Sequence, residues 1–100
     1  MHAQVIRHEA TRETRVAMER IVCRELIPAL RAEPGFAGAM SLVDPQTGDA
    51  MTIVLWKTPE QARRPLTRAG TALVSALSRL RELSIGGLGR VSVWEVSVRI

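Results

Sequence analysis

The strongest patterning in the chain lies over residues 34–62. From Phe36 to Val43, Phe36, Gly38, Met40 and Leu42 alternate with Ala37, Ala39, Ser41 and Val43, the period of two expected of a strand. Residues 50–56 repeat the pattern, with Met51, Ile53 and Leu55 against Ala50, Thr52, Val54 and Trp56. Neither strand has a wholly polar side. Between them, Pro45 pre-sets one turn dihedral and Gly48 is free to take a positive φ, so the two strands form a hairpin. Thr58, Pro59 and Gln61 then mark a helix start: an N-cap hydroxyl, a proline at the first helical position, and an amide to return the capping hydrogen bond.

The flanking segments carry helical and strand patterns in turn. Residues 3–8 read as a first strand, in which His2 and His8 fall on one side as edge or surface residues. Residues 11–33 read as a helix with Thr11 or Thr14 as N-cap. Met18, Val22, Cys23, Leu26, Ala29 and Leu30 share its apolar arc, opposite Glu13, Arg20, Arg24 and Arg31. Pro28 within it crowds the carbonyl of Arg24 and predicts a bend or a short second segment. Cys23 on this arc reads as an inert core thiol; Glu19 reads as a carboxylate at a pocket rim or, the favoured alternative, as an exposed partner of Arg15 one turn earlier.

Residues 59–83 form the second helix, with Ala62, Leu66, Ala69, Leu73, Leu77 and Leu80 as its stripe. Pro65 breaks it, because the residue before a proline is pushed out of helical angles, leaving a short turn and a long rod. A broken helix over a sheet leaves room beneath, and that room is the expected ligand pocket. Residues 84–89 are a glycine-rich link without the lysine of a phosphate loop. Residues 90–100 read as a long last strand whose apolar side switches near Val93, predicting a bulge there.

The order strand, helix, strand, strand, helix, strand predicts an α+β fold of the ferredoxin-like βαββαβ kind: a four-stranded antiparallel sheet with two helices on one face. Two helices cover one face only, yet the central strands are apolar on both. A homodimer with sheets packed face to face follows, assisted by the last strand.

Composition narrows the function classes. One hundred residues make one domain, 1–100, large enough for a core without disulfides. The single cysteine and the absence of a long apolar run point to a cytoplasmic protein with no membrane partner. Lys57, Arg63, Arg64, Arg68, Arg79 and Arg81 against Glu60 and Glu82 give residues 57–82 an excess of +4, equal to the net charge of the chain. With Phe36, Trp56 and Trp94 as the only aromatics, this reads as a solvated helix face with a weak pull on anions, and not as a nucleic-acid site. The two histidines lack further ligands at metal-binding spacing, so no metal is expected.

A family resemblance rests on the order of several short motifs. Pro34-Gly35-Phe36 follows a helix ending Leu26-Ile27-Pro28-Ala29-Leu30-Arg31; Leu42-Val43-Asp44-Pro45 precedes Thr47-Gly48; Leu55-Trp56 precedes Thr58-Pro59-Glu60-Gln61-Ala62. Leu80-Arg81-Glu82 and Val91-Ser92-Val93-Trp94-Glu95-Val96 complete the set, which spans nearly the whole chain. Together they resemble the antibiotic biosynthesis monooxygenase (ABM) family of dimeric α+β barrels. The resemblance implies a cofactor-independent monooxygenase that oxidises an aromatic, phenolic small molecule with O2, using neither metal nor flavin. It implies that Trp56 borders the pocket. The haem-degrading branch needs a histidine where this chain has Pro65 and Leu66, and an asparagine near the first strand; the chain contains no asparagine, so haem chemistry is not expected.

Two readings follow. In the first, Trp56 stacks on the substrate and Arg63 or Arg68 stabilises a phenolate or an anionic oxygen intermediate. In the second, the chain is a non-catalytic small-molecule-binding or structural homodimer of the same fold. The absence of Asn and Tyr, polar partners common among phenol-oxidising relatives, favours the second.

Overall fold

The computed structural model describes residues 1–64, 70–84 and 91–100. Its strands are β1 (His2–Glu9), β2 (Phe36–Val43), β3 (Asp49–Trp56) and β4 (Val91–Glu95). The helices are α1 (Arg12–Ile21), continued through a π-helical turn (Val22–Leu26) into α2 (Ile27–Arg31), then α3 (Pro59–Arg63) and α4 (Thr71–Leu83). The strands form one antiparallel sheet in the order β2-β3-β1-β4 with the helices on one face, which is the expected ferredoxin-like fold.

Local chemistry explains most boundaries. Thr11 caps α1: its hydroxyl accepts from the Thr14 backbone N–H at 3.1 Å, and the Thr14 hydroxyl accepts from the Thr11 N–H at 3.0 Å. Thr58 caps α3 by accepting from the Gln61 N–H at 3.3 Å. The expected return bond from Gln61 is not made. Its side chain lies over Gly35, where an added Cβ would sit about 2 Å from the Gln61 amide. Arg64, just before Pro65, has φ −58° and ψ 131°, so α3 stops there as expected. Residues 65–69 and the glycine-rich 85–90 lie outside the described residues.

The strain expected at Pro28 is absorbed one turn earlier. In the π-helical turn the Ile27 N–H reaches back five residues to the Val22 carbonyl, adding a residue to the turn. That extra residue aligns Met18, Val22, Leu26 and Leu30, all buried, at a strict spacing of four. It also corrects the wheel: Ile21 enters the core and Cys23 is exposed, not buried.

The hairpin is held by Asp44, whose carboxylate accepts from the Gln46 N–H at 2.8 Å and whose N–H donates to Asp49 O at 2.7 Å. Gly48 takes φ +82°, and a Cβ there would stand 2.5 Å from the Ala10 carbonyl oxygen. The bulge lies in β2, between Phe36 and Gly38, and not near Val93; β4 pairs with β1 in unbroken register. That bulge turns Phe36 edge-on to Trp56, with ring centroids 6.3 Å apart. The last strand is also shorter than expected. The Val96 N–H lies 3.1 Å from Met1 O, just beyond the strand, and Val98 and Ile100 are exposed.

Register fixes the two faces of the sheet. Gln4, Ile6 and His8 of β1, Thr52, Val54 and Trp56 of β3, and Val93 of β4 face the helices. Met40, Leu42, Met51, Ile53, Leu55 and Trp94 point to the other side, which no helix among the described residues covers. Met40 is 51% exposed and Trp94 59%.

Candidate ligand cavity

A cavity of about 220 Å³ opens on the helix-covered face, between α1 with its π-helical turn and the hairpin end of the sheet. Three local features leave this space. Ala10, Ser41 and Ala50 are small; the π-helical turn carries Cys23 away from the sheet; and the Gly48 turn stops the chain under Ala10. Met18, Val22 and Ala10 give an apolar inner wall. Arg15, Glu19, Cys23 and Val43 form the accessible rim. Arg15 and Glu19 pair across one helical turn, Nε to Oε1 3.5 Å, the partnership the sequence predicted.

His8 is the polar group of the inner wall. It is 7% exposed, so it is a core residue and not the edge or surface residue its position suggested. Its Nε2 lies 3.5 Å from the Thr52 hydroxyl, a long contact, and its Nδ1 is buried without a partner. Desolvation lowers its pKa from the ordinary 6.5, so the imidazole is neutral at pH 7. Sequence periodicity does put His8 on the same side as Gln4 and Ile6. Which side that is depends on the register with β3, and register is not written in one strand.

The residues singled out from sequence lie elsewhere. Trp56 closes the far end of the same face, 1% exposed, and its indole N–H donates to Gln4 Oε1 at 3.2 Å. The cavity reaches β3 at Ala50, six residues before Trp56, a separation of about 20 Å along the strand. Arg63 ends α3 with an exposed side chain. Arg68 lies outside the described residues. The described cavity lies under the first helix; the pocket expected under the broken second helix falls on residues 65–69, outside the described residues. Glu33 braces that second region: it accepts from Arg64 Nη2 at 2.7 Å and from the Gly70 N–H at 2.8 Å. The Gly70 bond first, and then Arg64, hold the Glu33 carboxyl below its ordinary pKa.

Among the described residues, no group of three or more His, Cys, Asp or Glu is placed to hold a metal ion, and no helix is long and apolar enough to cross a membrane.

No protein-family model matches the sequence, and no curated protein does. Solved structures do match its fold. SnoaB, a cofactor-independent oxygenase from Streptomyces nogalater, superposes with a TM-score of 0.74 at 18% identity, over 99% of this chain and 95% of that one. The monooxygenase ActVA-Orf6 of Streptomyces coelicolor, solved with nanaomycin D, gives 0.79 at 15% identity, over 99% and 89%. Rv0793 from Mycobacterium tuberculosis gives 0.75 at 15%, over 98% and 96%. The chain thus has the fold of the antibiotic biosynthesis monooxygenases.

Proposed function

We propose that this chain is a cofactor-independent monooxygenase, one domain over residues 1–100, that oxidises a phenolic small molecule with O2 on the helix-covered face of its sheet. The observation that carries the reading is the helix-over-sheet fold shared with a cofactor-independent oxygenase over 99% of the chain, with Trp56 on the helix-covered face. In such a reaction a phenol and O2 give a quinone and water, so the substrate supplies every electron and no external reductant is needed. Electron transfer from substrate to O2 is favoured by stabilising the phenolate and by excluding water. Trp56 is proposed to border the substrate's rings, and Arg63 and Arg68 to stabilise the anions. The test is an oxygen-uptake screen with phenols, repeated on Trp56→Phe, Arg63→Gln and Arg68→Gln. Uptake unchanged in all three variants would remove the roles named here.

The uncovered sheet face supports a homodimer. Met40, Leu42 and Trp94 leave an apolar face in water that a second copy, packed sheet to sheet, would bury. Light scattering at twice the mass of one chain is expected; the mass of a single chain would contradict it. The reading also takes the protein to be cytoplasmic, where the exposed Cys23 stays reduced.

A second reading, a small-molecule-binding or structural dimer without turnover, is favoured by one observation. The Trp56 ring is enclosed and its N–H already engaged by Gln4, as in a packed core. A phenol that binds and is recovered unchanged under O2 would favour this reading over the first.

A further inference from the structure

We propose that the cavity between α1 and the hairpin end of the sheet binds a free α-amino acid with an apolar side chain, the side chain inside and the zwitterionic head on Arg15 and Glu19 at the rim. The inference uses the oxygenase reading in no step, and the amino acid is bound and not oxidised.

The interior and the mouth of the cavity differ in chemistry. Inside, the buried side chains of Met18, Val22 and Ala10 present an apolar wall. A closed apolar cavity of about 150 Å³ accommodates benzene, and sites for drug-sized ligands begin near 300 Å³. At about 220 Å³, the space holds an apolar group the size of a leucine, methionine or phenylalanine side chain.

At the mouth, α1 presents a cation and an anion to the same opening, because Arg15 and Glu19 stand one helical turn apart. Their side chains are 37% and 61% exposed, and they meet in a single long contact, Nε to Oε1 3.5 Å. An exposed pair of this kind contributes little to stability, so a ligand that inserts its own charges between the two displaces little. The contact runs through Nε, which leaves the Nη side of the guanidinium to grip a carboxylate.

The two signs together select the head group. A lone carboxylate would bind Arg15 against the repulsion of Glu19, and a lone ammonium would bind Glu19 against that of Arg15. A head that carries both charges on one carbon meets both partners and is repelled by neither. The end of a peptide carries only one of the two charges, so the ligand is a free amino acid. Of the other polar groups in the lining, Ser41 is uncharged and burial keeps His8 neutral at pH 7.

The test is a calorimetric titration of the full chain with L-leucine, and separately with glycine, 4-methylpentanoate and 3-methylbutylamine, which lack the side chain, the ammonium and the carboxylate in turn. L-Leucine is expected to bind about fivefold or more tightly than either single-charge analogue, the upper range for one exposed ion pair, and glycine is expected not to bind. Nuclear Overhauser contacts between the leucine methyl groups and the Met18 methyl should place the side chain inside the cavity. Glu19→Gln should bind L-leucine and 4-methylpentanoate equally, and Arg15→Gln should bind L-leucine and 3-methylbutylamine equally. Both side chains are on the surface of α1, so neither substitution threatens the fold, which circular dichroism checks. Absence of L-leucine binding, a single-charge analogue bound as tightly by the native chain, or preferences that survive both substitutions would each overturn the assignment.

Discussion

The two ends of the helix-covered sheet face make opposite use of a buried polar side chain. At one end the Trp56 N–H is engaged by Gln4, the ring is enclosed, and Phe36 packs edge-on. At the other, His8 holds a long contact to Thr52, leaves Nδ1 unpaired, and borders a cavity. The strands and the helical layer are shared, and about 20 Å separates the two ends. A satisfied polar group is how a core is built, whereas an unsatisfied buried one costs stability that the rest of the fold must offset. The large aromatic residue, the obvious choice from sequence, sits at the end that looks like core.

The contrast can be broken by substitution, and the largest effect belongs to the closed end. Trp56→Ala should destabilise the fold by about 3–5 kcal/mol, because it empties a filled site and orphans Gln4, as measured by denaturant unfolding. A loss under 1 kcal/mol would mean that this end is not core. Next comes Gly48→Ala. It forces a positive φ on a residue with a Cβ and drives that atom against Ala10 O, so a loss of about 1–2 kcal/mol in denaturant unfolding is expected.

Glu33→Gln should cost about 1–2 kcal/mol in denaturant unfolding by removing charge from two hydrogen bonds. Its carboxyl has a depressed pKa in the folded state, so its contribution is present above the unfolded value near 4.5 and is lost as the pH falls below it. The smallest effect is the acid dependence due to His8. A buried neutral histidine binds its proton less readily than the unfolded chain does, so stability declines as the pH drops below 6.5 toward the folded pKa. His8→Leu should flatten that part of the pH profile; an unchanged profile would show that His8 does not titrate differently on folding.

Much of the fold was legible because short-range chemistry decides it. Thr11, Thr58 and Pro59 start helices, Pro45 and Gly48 reverse the chain, and Arg64 before Pro65 ends α3. Features that depend on distant partners were not legible. β4 pairs with β1 only over Val91–Glu95, and the bulge at Phe36 accompanies that ring's edge-on contact with Trp56. Gln61 carries a capping pattern but covers Gly35 instead, a competition invisible along the chain. The candidate site was missed for two reasons of the same kind. The π-helical turn rotates Cys23 out of the core arc, and the register between β1 and β3 turns His8 inward. One signal was available: a single histidine in phase with Ile6 on a strand whose outward side carries Arg7 and Glu9.

The most direct test of the contrast is the unfolding free energy of His8→Leu and Trp56→Ala against the native chain. His8→Leu should be as stable as the native chain or more so, since it removes an unsatisfied buried group, whereas Trp56→Ala should lose about 3–5 kcal/mol. A His8→Leu variant that loses as much as Trp56→Ala would contradict the account and show that His8 belongs to the core in the same way.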